Sequence, residues 1–240
     1  NEAAQLDACL RSLTFADAIV VVLDRTVDDS AKIAASHHAQ IIEGAWEVEG
    51  ARRNTGIDAC ADGWVLEVDA DERVSSALAQ EVRQVIANTP CCWFQVPIDN
   101  YVGARLIKYG WAGSFGTSAT QRLFKKGHKY WGEQRVHPKV DLQGQGGWLG
   151  NALVHYVDRD ISDMMKRLDR YTSAHASDLR ANPQKMGSLP RNLLRALARF
   201  YKSYIRRKGY REGVFGVLLA IFTALYPIVS YCKARLEDDA

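Results

Sequence analysis

The sequence lacks any C-x-x-C spacing, and its five cysteines (Cys9, Cys60, Cys91, Cys92, Cys232) are odd in number and include one adjacent pair. That pattern offers no zinc cage, no redox dithiol and no complete disulfide framework, so a reducing compartment is the expectation. There is no internal repeat and no low-complexity run. Disorder is excluded by composition, since 47% of the 240 residues are hydrophobic and 25% charged, enough for one large globular domain plus an appendage. No secretory signal stands at the N-terminus, where Asn1-Glu2 runs straight into a helix-like segment, a start of the truncated rather than the processed kind. Acid is nearly absent from residues 181–235, which carry 11 Lys/Arg against the single Glu212, whereas residues 1–180 carry 20 against 24 Asp/Glu. The net charge of +3 therefore hides a basic C-terminal part.

What is present first is an alternation of strands and helices. Ala18 to Leu23 (AIVVVL) is a continuous β-branched run, as in a strand buried on both faces, and it stops at Asp24. Asp28-Asp29-Ser30 then opens a helix to His37, its acids suiting the positive end. Gln40 to Ile42 reads as a strand, Glu49 to Ala61 as a helix, and Trp64 to Val68 as a strand leading into Asp69-Ala70-Asp71-Glu72. Ser75 and Ser76 can cap a helix to about Ile86, and Cys92 to Ile98 returns as a strand. This spacing predicts βαβ units and an α/β fold with a mostly parallel sheet flanked by helices. Residues 100–150, rich in Gly, Trp, Tyr and Lys with β-like pieces such as Gln121 to Phe124, are too long for a connector and read as the wall of a site. Beyond Asp160 the pattern is helical, near Ser162 to Arg180, Leu189 to Lys208 and Gly213 to Cys232. The domain reading is a catalytic 1–158 and a helical extension at 159–240.

In open parallel sheets, ligands gather at the carboxyl ends of strands, and Asp24 and Asp69 both fall there. Asp69 and Asp71 flank Ala70, small enough for close backbone approach, and such a carboxylate pair suits Mg2+ or Mn2+ bridging a diphosphate. An isolated D-x-D more often only solvates a loop and favours the next helix. Its company decides.

That company is Cys9-Leu10-Arg11-Ser12-Leu13 after Asn1-Glu2, Ala16 to Asp24, Asp28-Asp29-Ser30, Arg52-Arg53-Asn54-Thr55-Gly56, and Trp64-Val65-Leu66 before Asp69-Ala70-Asp71-Glu72. In this order the series resembles a family 2 glycosyltransferase with the GT-A fold. Gln121 to Phe124, Gly132-Glu133 through Val136-His137, Leu153-Val154-His155-Tyr156 and Gly209-Tyr210-Arg211-Glu212-Gly213 are similar to the branch with lipopolysaccharide-core β-glucosyltransferases. The resemblance implies an inverting transfer from a nucleotide-sugar donor, a UDP-hexose by family precedent. It places Asp24 and Arg53 against base and ribose, puts Asp69 and Asp71 on metal and diphosphate, and calls for a strand upstream of Asn1. The loop Arg25 to Asp29 is shorter and less Ser/Gly-rich than the family turn.

An inverting transfer needs a general base for the acceptor hydroxyl. Glu133 is the candidate, with His137 and Asp99 as rivals, because the acid that relatives carry directly after Val-His is here Pro138. Arg122 suits phosphate through two parallel guanidinium bonds, or serves structure alone. Trp111, Trp131 and Trp148 stack on sugars or, as aromatics more often do, fill core. His155 is a second diphosphate candidate or a satisfied buried histidine, and the Cys91-Cys92 pair is assigned to packing.

Between Arg191 and Arg211 eight basic residues interleave with Leu193, Leu194, Leu197, Phe200, Tyr204 and Ile205, the pattern of a helix lying on an anionic membrane. The 20 residues Gly213 to Cys232 are uncharged, long enough to span a bilayer, but Pro227 weakens that case and positive flanks favour lying in the interface. The expected partners are thus a nucleotide sugar, a lipid-linked glycan and the inner face of the cytoplasmic membrane, with no nucleic acid. The plain alternative is a helical pair packed on the catalytic domain or on another subunit of a homo-oligomer. Rival functions are a membrane-bound GT-A scaffold that has lost catalysis and a polyprenyl-phosphate sugar transferase. A nucleotidyltransferase would need a Gly/Arg/Lys-rich phosphate loop near the N-terminus, which is missing.

Overall fold

A computed structural model describes residues 2–111, 116–134 and 139–237. The chain divides into two compact units, Asn1–Ile98 with Ala119–His155, and Asp99–Ser118 with Tyr156–Ala240.

The first unit begins with α1 (Ala3–Arg11), followed by β1 (Val20–Asp24), α2 (Ser30–Ser36) and β2 (Gln40–Gly44). β1 and β2 run parallel, Val21 opposite Ile41 and Asp24 opposite Gly44, a βαβ turn of the kind the apolar run of β1 dictates. Asp28 ties the loop between them to the chain start, accepting from Ser30 N at 3.1 Å and Ala3 N at 3.0 Å. Hydrogen bonds from Ser30 and Ala3 pull its carboxyl down to about 2.

Next come α3 (Glu49–Ala59), β3 (Trp64–Leu66), β4 (Glu72–Val74) and α4 (Ser76–Ala87), the last capped by Ser75, whose Oγ accepts from Leu78 N at 3.1 Å. β5 (Trp93–Val102) buries alternate residues, and β6 (Arg105–Ile107) follows it. β7 (Ala119–Lys125), β8 (Lys129–Trp131), β9 (Val140–Leu142), β10 (Gly146–Trp148) and β11 (Leu153–Asp158) complete the strands. The main sheet has the order β3-β7-β5-β11-β4, with β10 and β6 also paired to β5. The β5–β10 pair is parallel, and β3–β7, β5–β7, β5–β6 and β4–β11 are antiparallel. Leu78, Phe94, Val96, Leu123 and Leu153 fill the core between α4 and this sheet.

One strand was not foreseen. The acidic turn leads into β4 before α4, because Glu72 and Val74 alternate inward and pair with Leu153 to His155 of β11. A two-residue apolar signal is too short to read as a strand, and only the partner strand makes it one.

The second unit holds α5 (Ile161–Ala181), α6 (Pro183–Met186), α7 (Leu189–Tyr201) and α8 (Val214–Leu236). The helix expected over Leu189 to Lys208 ends early, passing into a π turn at Lys202–Arg206 and a 3-10 turn at Gly209–Glu212. The chain turns away beyond it: Lys208 is left-handed at φ 58, and Gly209 packs where a Cβ would lie 2.9 Å from Ser203 O. Glu212, buried, accepts from Lys108 N and Tyr109 N at 2.9 and 3.0 Å, so the Gly209-to-Gly213 motif ties α8 to the loop after β6. Ile107, Trp111, Met164, Leu219, Phe222 and Tyr226 form this unit's core. Trp111, its Nε1 donating to Ile107 O at 2.6 Å, is therefore a core residue.

Gly216 sets how closely α8 can pack, since a Cβ there would fall 1.8 Å from Gly209 O. Gly216→Ala must displace backbone and is expected to cost roughly 1–3 kcal/mol, read in denaturant as a lower midpoint with an unchanged slope.

Candidate functional site: a paired acidic turn and its arginines

The motif Arg52 to Gly56 lies on α3, and each of its residues has a separate task because successive helical positions turn by about 100°. Arg52 Nη1 faces Asp24 Oδ2 at 3.9 Å, at the end of β1. Arg53 Nη2 faces Asp69 Oδ1 at 3.1 Å, and its Nε binds Glu49 at 2.8 Å. Asn54 pairs with the Trp131 backbone in both directions, donating to its O at 2.9 Å and accepting from its N at 3.0 Å. Thr55 Oγ1 accepts from Trp46 Nε1 at 3.1 Å, and Gly56 leaves room for Val22 of β1. At the head of the helix, a Cβ on Gly50 would sit 1.9 Å from Gly132 O, so α3 and the end of β8 meet backbone to backbone. Asp24 itself accepts from Trp46 N at 3.2 Å and from Arg25 at 3.1 Å.

Asp69 is gripped from two elements. Arg122 of β7 reaches Asp69 Oδ2 at 2.6 Å and Glu72 Oε1 at 2.7 Å with the same Nη2, while Glu72 Oε2 accepts from Asp69 N at 2.8 Å. Burial raises the Asp69 carboxyl, but the Arg122 and Arg53 charges outweigh it and hold the group well below the usual carboxylate range. Glu72, only 1% exposed, goes the other way, pushed up mainly by burial despite Arg122. Burial also opposes charge on Arg122, yet Asp69 and Glu72 keep it protonated. Its Nε is buried with no hydrogen-bond partner among the described residues. Beside this cluster, Asp71 Oδ2 lies 3.3 Å from His155 Nε2. Burial lowers the imidazole's affinity for its proton, and the Asp71 hydrogen bond and neighbouring acids more than restore it, leaving the pKa raised.

A second buried pair supports the first. Lys129, fully buried, forms an ion pair with Glu67 and donates to Gln121 O at 2.6 Å. Glu67 also accepts from Trp131 Nε1 at 2.7 Å, and the Trp131 ring carries the Arg53 guanidinium at 4.9 Å. Burial pushes Lys129 down to about 8 against the pull of Glu67, with Arg122 and Arg53 adding repulsion.

A strand end carrying carboxylates and two guanidinium groups is suited to an anionic, phosphate-bearing ligand. Residues 1–138 match the sequence family described as Glycosyl transferase family 2. The chain belongs to that family. It is thus a glycosyltransferase. It is 22% identical to the lipopolysaccharide core biosynthesis glycosyltransferase LpsC of Rhizobium meliloti (strain 1021), over 97% of this chain and 88% of that protein. An uncharacterized glycosyltransferase of Rickettsia felis is also 22% identical, over 98% of this chain and 86% of its own. Among solved structures, S. aureus TarS 1-349 superposes with a TM-score of 0.51 at 13% identity, covering 98% of this chain and 84% of that one. That likeness shows the fold: α/β of the GT-A kind, with C-terminal helices that include one long apolar helix.

Of the residues singled out in the sequence, Arg53, Asp69 and Arg122 come together directly, and Asp24 joins them through α3. Asp71 is paired to His155. Glu133 is exposed in the loop after β8, two positions beyond Trp131, while His137 lies outside the described residues. Asp99 belongs to the second unit. Trp148 is exposed, and the Cys91 thiol is packed in the core. Sequence reasoning missed Glu67, Glu72 and Lys129. Glu72 had a usable signal, its place in the acidic turn; Lys129, a lone lysine before an aromatic pair, had none.

Lys129→Met leaves Glu67 buried without its cation and is expected to cost about 3–5 kcal/mol, measured by denaturant unfolding. Adding Glu67→Gln, which keeps the acceptor for Trp131 and removes the stranded charge, should recover part of that loss.

Proposed function

We propose that the chain is an inverting hexosyltransferase taking its sugar from a nucleotide-diphosphate donor, a UDP-hexose, and passing it to a lipid-linked glycan of the lipopolysaccharide-core kind. The carrying observation is the Arg53–Asp69–Arg122 cluster beside Asp71 and His155, at the end of β3. Arg122 is charged at any ordinary pH, is oriented by Asp69 and Glu72, and has an Nε–H that a phosphate oxygen would satisfy. The acceptor class is supported by the name of the Rhizobium relative, of which this chain covers 88%.

A divalent cation fits this reading in one form. Among the described residues no group of three His, Cys, Asp or Glu side chains is gathered for a metal. Mg2+ and Mn2+, however, are commonly held by one or two carboxylates and complete their shells with substrate phosphates and water. Asp71 with His155 is the pair this chain offers, and Asp69 joins only by releasing Arg53 or Arg122. Such an ion would neutralise charge developing on the departing diphosphate.

The chain's own residues do the rest. Asp24 and Arg53 hold the base and ribose side of the donor, and Arg122 holds the diphosphate. Glu133 takes the proton from the acceptor hydroxyl, whose oxygen bonds to the anomeric carbon from the face opposite the diphosphate. The bond from that carbon to the diphosphate oxygen breaks, its electrons leave with the nucleotide, and the configuration inverts. His137 is the rival base.

The helical unit supports a peripheral position on the inner face of the cytoplasmic membrane. Leu193, Leu194, Leu197, Tyr201 and Ile205 are exposed among exposed cations, and on α8 Val214, Val217 and Ile221 are exposed as well. α8 is long and apolar enough to cross a bilayer, but 44% of its apolar window is buried within the protein, which favours lying in the interface. Exposed leucines between the cations suit lipid and not nucleic acid.

Full-length protein assayed with UDP-sugars and Mn2+ tests the site. Asp71→Ala should reduce sugar transfer and UDP release by about a hundredfold or more, and unchanged turnover would sink the metal assignment. Glu133→Gln should lower kcat by about 10²–10⁴ while leaving UDP affinity, measured by calorimetry, as it was. If His137→Gln has that effect instead, the base is His137.

A further inference from the structure

The helical unit contains a cavity of about 530 Å3 that none of the chemistry above uses. Its walls come from four helices: His175 and Leu179 from α5, Lys185 from α6, Arg191, Arg195 and Arg199 from α7, and Tyr226 from α8. Among the described residues no acidic side chain lines it. The three arginines recur at four-residue intervals, so they form one row along a single flank of α7. Leu193, Leu194 and Leu197 occupy another flank of the same helix, so the row is separate from the exposed apolar face.

We propose that this cavity is a binding site for the phosphate group of a phosphorylated ligand.

Two of the cations, Arg195 and Arg199, are held in place and not merely nearby. The Arg199 guanidinium lies 4.9 Å from the centre of the Tyr226 ring, and the His175 imidazole stacks on the same ring at 5.4 Å and 19°. Arg195 Nη1 donates to Asn192 Oδ1 at 3.2 Å. Asn192 is itself buried and anchored through Nδ2 to Met186 O and Ser188 O at 3.0 and 3.1 Å. Burial pulls the Arg199 guanidinium below its ordinary value, and the Arg195 charge adds to the pull. Like charges gathered in a partly buried pocket cost free energy that an anion relieves. One planar guanidinium over an aromatic ring and a second tied to a buried amide, their side-chain motion already restricted, bind a tetrahedral oxyanion at low entropic cost. The volume exceeds that of a lone phosphate and suits one attached to a sugar or lipid headgroup.

The test uses the full chain labelled with 15N-histidine, with the His175 imidazole signal assigned through His175→Asn. Inorganic pyrophosphate is expected to move that signal saturably. Arg195→Gln/Arg199→Gln should weaken the effect about tenfold or more, and so should Lys185→Gln/Arg191→Gln, which alters exposed side chains and leaves the Tyr226 stack intact. An unmoved His175 signal, or equal affinity in wild type and both double variants, overturns the proposal. Vesicles of phosphatidylcholine with and without phosphatidic acid then separate two sources. If phosphatidic acid competes with pyrophosphate at His175, the ligand is a lipid headgroup; if only pyrophosphate acts there, it is a diffusible phosphorylated compound. Because the readout is in the helical unit, it stands apart from sugar transfer and from UDP binding.

Discussion

A buried guanidinium needs negative charge close by, and Arg122 is supplied with two carboxylates, one of which, the half-buried Asp69, is also held by a second guanidinium from another part of the chain. Arg53 arrives on α3 and Arg122 on β7, and Glu72 shares Arg122 from the opposite side. Removing Arg122 strands the fully buried Glu72, because an unpaired buried charge costs far more than the pair contributes. Much of the first unit's local architecture serves to keep those three elements in register. Gly50 lets α3 approach β8, Asn54 fixes it to the Trp131 backbone, and Gly56 lets it settle on β1.

The same arrangement separates two neighbouring acids by task. Asp69 is neutralised by two protein arginines, whereas among the described residues Asp71 is paired with a histidine whose charge depends on its surroundings. A D-x-D pattern treated as two equal ligands would miss that asymmetry. The antiparallel pairing of β4 with β11 creates it, by setting His155 opposite Glu72 and beside Asp71.

In the helical unit the organising constraint is backbone proximity. Gly209 and Gly216 allow main chains to touch where no Cβ would fit, and Glu212 caps two amides of the loop after β6. The long apolar helix is consequently part of a packed unit, with its hydrophobic length divided between core and surface. Basic side chains follow the same division: some face outward among leucines, and Arg199 is drawn inward onto Tyr226.

The first βαβ turn, the acidic turn after β3, the helix that carries Arg53 and the basic helix were legible in the sequence, because each is encoded within a few neighbouring residues. Periodicity, capping and strand-end acids are local signals, and the family series from Asn1 to Glu72 is a chain of them. The pairing of Asp71 with His155, the burial of Glu72, the Lys129–Glu67 support and the cationic cavity were not legible. Each joins residues separated by long stretches of chain, and their partners are chosen by strand register and helix packing. The sequence by itself determined which chemistry the chain carries. Tertiary structure alone decided which charges neutralise one another and which are left to meet a ligand, since electrostatic pairing depends on distance in space and on exclusion of water, neither of which is written in residue order.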